Sequence, residues 1–156
     1  HKQHVNRIIE PFTHIETILT STDFDNFFEL RLSHDAQPEI QELAAQMKAK
    51  LLSNTPQILD IGQWHIPYIE LTAHSFDVAL AVSTARCARV SYRSFSTGAT
   101  SSIEEDVQLY GRLFRDKHLS PFEHQAMANI GRHANLVDWI SQRTLIETYQ
   151  YKNSLI

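Results

Sequence analysis

Ala36-Gln37-Pro38-Glu39-Ile40-Gln41-Glu42-Leu43-Ala44-Ala45-Gln46-Met47-Lys48-Ala49-Lys50-Leu51-Leu52 decides how the chain is read, because its pattern admits only one element. Ile40, Leu43, Ala44, Met47 and Leu51 form one apolar stripe at helical spacing, and Pro38 is tolerated because it falls in the first turn. Around this helix the chain reads as α+β, helix-rich, with little strand. Upstream, Ser21-Thr22-Asp23 offers N-cap chemistry to a short helix through Asn26, Phe27, Phe28 and Leu30. Before that, the β-branched run Thr13 to Thr20 is expected to be a strand. His1 to about Ile9 has helical spacing and ends at Pro11. His1 is not Met, and the first residues already read as helix interior, so material upstream is expected.

Downstream, Ser53 to Leu71 holds Pro56, Gly62 and Pro67 and reads as an ordered loop or irregular strands. A helix is expected from about Ser75 to Val90, with Val78, Ala81, Val82 and Ala85 facing inward. Arg93 to Ser101 is a Ser/Thr/Gly loop, expected to move. Ser102-Ile103-Glu104-Glu105 resembles a capping box. Its helix sets Ile103, Val107, Tyr110 and Phe114 on one side and stops near Asp116. The acids Glu104, Glu105 and Asp106 suit the positive end of that helix. A last helix is expected over Ala134 to Tyr149.

The 156 residues suit one domain, with a first part to residue 52, a connecting loop over 53–74 and a second part from 75 to 156. A formal net charge of −4 argues against nucleic acid or an anionic membrane as the main partner. Cys87 is the single cysteine, so no intrachain disulfide forms, which suits a reducing cytoplasm. No apolar run approaches the roughly 20 residues of a transmembrane helix.

Two stretches carry candidate chemistry. In the first, Asn26 and Arg31 are five residues apart and reach one end of a pocket if their helix stops near Ser33; the alternative is Arg31 in an exposed salt bridge with Asp35. The second is His118-Leu119-Ser120-Pro121-Phe122-Glu123-His124. Ser120 before Pro121 is pushed to an extended conformation, from which its hydroxyl can meet a phosphate or cofactor. A metal centre or hydrolase built on His118, Ser120, Glu123 and His124, and a purely structural cap, are the other readings.

The second stretch resembles the H-x-S/T-P-F-E-H signature of flavin-dependent thymidylate synthases. Asn26 to Arg31 followed by Ala36-Gln37-Pro38-Glu39-Ile40 is similar to that family's N-F-x-x-L-R…A-Q-x-E-I segment. Val5-Asn6-Arg7-Ile8-Ile9-Glu10-Pro11 resembles its A-R-x-x-L-P segment, and Ala85-Arg86-Cys87-Ala88-Arg89-Val90-Ser91-Tyr92 its A-R-V-S stretch. The resemblance implies a small antiparallel sheet in a helix-rich fold, and FAD as cofactor. It implies methylation of dUMP with methylenetetrahydrofolate and NADPH, in a homo-oligomer, a tetramer in the family. By the same resemblance Asn26, Ser120 and His118 contact FAD, while Arg7 and Arg31 bind dUMP, Arg31 lying against the uracil ring as the catalytic residue. No metal is implied. The family needs no cysteine nucleophile, which fits Cys87 as a small buried hydrophobe.

Two departures stand beside the likeness. The H-x-S/T-P-F-E-H segment follows the N-F-x-x-L-R segment here, whereas it precedes it in the family. The family's R-H-R-x-x-S-x-N-E-x-S-x-R-Y motif is absent, with Gly131-Arg132-His133 and Trp139 to Arg143 its nearest approaches. Either that motif lies upstream, or the chain is a flavin- or nucleotide-binding module that has lost catalysis.

Overall fold

The computed structural model describes residues 7–8, 12–90 and 101–154, with side chains described as far as Tyr149. Backbone contacts divide the chain into two discontinuous compact units. One comprises His1–Leu19 and Tyr68–Pro121, the other Thr20–Pro67 and Phe122–Ile156. The architecture is α+β, with helices predominating and a small antiparallel sheet.

The second of these units contains α1 (Asp25–Arg31), α2 (Pro38–Ser53), β1 (Trp64–His65), β2 (Ala126–His133), β3 (Leu136–Ser141) and α5 (Gln142–Ser154). Helix α1 starts one residue later than the cap chemistry suggests. Phe24 occupies the N-cap without a side-chain bond, and Asp23 Oδ1 accepts the Asp25 N–H at 2.9 Å. Phe28 is its buried residue, stacked on Phe24 at 5.9 Å and edge-on to Phe27 at 5.5 Å. Helix α2 begins with Pro38 at its first position, where the missing N–H has no intrahelical partner to lose. Of the expected stripe, Ala44 is fully buried and Ile40 and Met47 half-buried, while Leu43 and Leu51 are exposed. Lys48 of α2 sets its ammonium 5.9 Å from the Phe28 ring, tying α2 to α1.

The sheet runs in the order β1-β2-β3. Trp64 and His65 pair with Met127 and Ala126, and β2 pairs with β3 from Ala126↔Ser141 to His133↔Leu136. The register slips between Ala128 and Arg132. Gly131 supplies the positive φ (95°) that this irregularity requires, and its N–H is held by Asp138 Oδ1 at 2.9 Å.

The other unit contains α3 (Phe76–Arg89) and α4 (Ile103–Arg115), packed on each other. The small residues of α3 make it the most buried helix among the described residues: Ala79, Ala81, Val82, Ser83, Thr84, Ala85 and Cys87 are all buried, and Val78 half-buried. Helix α4 is opened by the complete capping box, Ser102 Oγ accepting from the Glu105 N–H and the Glu105 carboxylate from the Ser102 N–H. It is closed by a Schellman motif. His118 N–H donates to Leu113 O at 2.9 Å, Lys117 N–H to Phe114 O at 3.2 Å, and Lys117 takes φ 58° in the position glycine usually fills.

Two expectations need correction. Thr13 to Thr20 forms no strand, and Ile15 and Leu19 stay exposed. The residues suit a pleated, half-buried surface, and with no partner strand that preference has nothing to act on. The last helix begins at Gln142, not Ala134; residues 126–141 form the β2–β3 hairpin instead. Leu136, Trp139 and Ile140 lie at spacing that a helix also satisfies, and cross-strand pairing overrides it. Glu104, Glu105 and Asp106 form the acidic first turn of α4 as expected, and Asp106 is in addition fully buried. The segment His1 to Ile9 and the loop from Arg93 lie outside the described residues, apart from Arg7, Ile8 and Ser101.

Candidate functional site

Helix α1 ends at Arg31, with Leu32 as its C-cap donating its N–H to Phe28 O. That termination leaves both Asn26 and Arg31 exposed on the short helix. Neither has a hydrogen-bond or ion-pair partner among the described residues. Asp35, the alternative partner for Arg31, pairs with His34 Nε2 at 3.1 Å instead. The Arg31–Asp35 salt bridge does not form.

The H-x-S-P-F-E-H stretch divides into two halves with different surroundings. The Schellman motif ends α4 and delivers His118, whose side chain is exposed. Ser120 to Glu123 then make a 3-10 turn in which Phe122 is fully buried and Ser120 is exposed. His118 and Ser120 stand two residues apart between α4 and the 3-10 turn, in the same unit as Arg7, which is also exposed. Asn26 and Arg31 belong to the other unit.

Beyond Ser120 the stretch is knitted into a polar network. His124 Nδ1 lies 2.9 Å from Thr20 Oγ1. Glu123 pairs with Arg143, which also reaches Glu147 at 2.8 Å, one helical turn along α5. These contacts raise the Arg143 pKa, chiefly through the Glu147 hydrogen bond. Glu123 is thus held by a guanidinium. Among the described residues no three His, Cys, Asp or Glu side chains are grouped to hold a metal ion.

Burial lowers the His124 pKa below its usual 6.5, with Glu123 opposing the shift. In the unfolded chain His124 takes its proton near 6.5, and in the folded chain only at lower pH. Below about pH 6.5 the unfolded state therefore binds more protons, and stability falls with pH until the folded-state pKa is passed. Urea unfolding between about pH 7 and 5 should show this decline, and His124→Asn should make it shallower. An unchanged slope in the variant would assign the decline to other groups.

The residues that sequence reading missed lie in the α3–α4 unit. Asp106 is fully buried and receives Arg86 Nε on Oδ2 at 3.1 Å, with Arg89 Nε at 3.1 Å and Ser101 Oγ at 2.6 Å on Oδ1. Arg86 also donates to Tyr68 O at 2.7 Å. The signal was present in the sequence: Arg86 and Arg89 share one face at i,i+3, and such a pair next to a small-residue helix face calls for a carboxylate. Both arginines fall in the stretch that resembles A-R-V-S, yet here they perform a structural task.

No protein-family model, curated protein or solved structure matches the chain. Function therefore rests on the motifs and on the state of the side chains that carry them.

Proposed function

We propose that this chain is part of a flavin-dependent thymidylate synthase, converting dUMP to dTMP with methylenetetrahydrofolate as carbon donor and NADPH as reductant. FAD, when bound, supplies the hydride chemistry. Asn26, Ser120 and His118 would hold it, and Arg7 and Arg31 would hold dUMP. Arg31 is the observation that carries the reading. It is exposed at the end of α1 with no carboxylate among the described residues to occupy it, while Asp35, the alternative partner, pairs with His34. A guanidinium in that condition suits the uracil imide, favouring its ionised form and any negative charge that develops on the ring. The side chains of Asn26, Ser120 and His118 are likewise exposed and have no hydrogen-bond partner among the described residues, which suits groups that bond a ligand rather than the fold.

A non-catalytic flavin- or nucleotide-binding module derived from the same family is the second reading. The observation favouring it is the absence of the R-H-R motif from these 156 residues. The first reading requires FAD to bind, and the second requires FAD or a nucleotide. In the full-length protein, FAD titration should show saturable binding, weakened about three- to tenfold by Asn26→Ala and by Ser120→Ala, the size of one neutral hydrogen bond. Absence of flavin binding would remove the first reading, and absence of both flavin and dUMP binding would remove the second as well. Binding without dUMP-dependent turnover would select the second.

A further inference from the structure

The unit of α3 and α4 carries a groove of about 550 Å³ lined by Arg89, Arg112, Arg115, Glu105, Val107 and Gly111, among others. Three guanidinium groups there face one carboxylate. That carboxylate, Glu105, already accepts the Ser102 N–H in the capping box. Arg89 gives its Nε to buried Asp106. Arg112 and Arg115 are exposed and have no carboxylate partner among the described residues. They stand at i,i+3, where like charges repel unless an anion bridges them. The C-terminal end of a helix favours cations and accounts for part of this charge.

It does not account for Gly111. A glycine inside a helix is destabilising relative to alanine, and this one has ordinary helical geometry with no turn to make. The nearest atom to a Cβ built there is Arg115 Nη1, at 3.4 Å. That is ordinary van der Waals contact, so the bare Gly111 leaves a little extra room on the floor of the groove beside the Arg115 guanidinium. Planar guanidinium forks match phosphate oxygens two at a time, which a carboxylate-free pair of arginines is free to do.

We propose that this groove binds a phosphate chain, either free as pyrophosphate or carried by a nucleoside diphosphate. The proposal does not depend on the flavin reading, since none of these residues is assigned to FAD or dUMP. The test is calorimetric titration of the full-length protein with pyrophosphate, ADP and adenosine. Pyrophosphate and ADP should both bind. Arg112→Ala/Arg115→Ala should weaken each at least about tenfold, the loss expected for charge-assisted bonds. Arg112→Lys/Arg115→Lys should retain part of the affinity, because charge survives and the fork does not. Gly111→Ala should raise the melting temperature and leave pyrophosphate affinity within about twofold, since its Cβ meets only Arg115 Nη1 at ordinary contact distance. ADP binding more tightly than pyrophosphate would identify a nucleotide ligand, and equal affinities a free phosphate chain. No binding of either, or equal binding by the wild type and the double alanine variant, would overturn the proposal.

Discussion

Asp106→Ala is expected to destabilise the protein by about 3 kcal/mol, at the lower end of the range for breaking a buried ion pair. The carboxylate is fully buried and receives two guanidinium groups and a hydroxyl. Its removal leaves Arg86 and Arg89 facing each other with no counter-charge. Their side chains are 28% and 38% exposed, so both can turn partly toward water, which limits the loss. Asp106→Asn keeps the volume and one acceptor and should cost less, about 2 kcal/mol. Urea unfolding at neutral pH would measure both. Replacing all three groups together, as Arg86→Met/Arg89→Met/Asp106→Leu, should cost less than Asp106→Ala alone, because no charge is then left unpaired. A loss below about 1 kcal/mol for Asp106→Ala, typical of a surface pair, would show that the network adds little.

Arg31→Ala should have the opposite profile. Because Arg31 is exposed and unpartnered among the described residues, thermal stability should stay within about 0.5 kcal/mol of wild type. Under the proposed function, dUMP affinity and turnover should fall, with a loss on the order of 2–4 kcal/mol if the guanidinium stabilises developing charge in a dry site. Arg31→Lys should recover only part, since an ammonium cannot make the two-point contact. The measurement pairs melting temperature with dUMP-dependent flavin oxidation on the same full-length samples. Early melting would make Arg31 structural, and normal turnover would remove it from the site. Asp106 and Arg31 thus predict separable phenotypes, one in stability and one in chemistry.

The elements legible in sequence were those whose determinants are local. The box Ser102–Glu105 starts α4 because its bonds span only three residues, and Pro38 starts α2 because ring geometry alone permits it there. The small-residue face of α3 was equally legible, since a run such as Ala79 to Ala85 has little other use than close packing. The candidate residues Asn26, Arg31, His118 and Ser120 were chosen from motifs, and no local rule of packing predicts that all four would be exposed without partners.

Pairing over distance was what the sequence left open. Leu136 to Ile140 satisfies helical spacing and strand alternation about equally, and only Ala126 to His133, lying alongside, makes it β3. Thr13 to Thr20 has the composition of a strand but joins no sheet among the described residues, so it remains irregular. Asp106 sits among acids that suit a solvated first turn, and burial against α3 turns it into the anchor of Arg86 and Arg89. Local bonds are written in adjacent residues and survive in any context. A ladder or an ion pair depends on which distant segment arrives opposite, and that is decided by the tertiary structure.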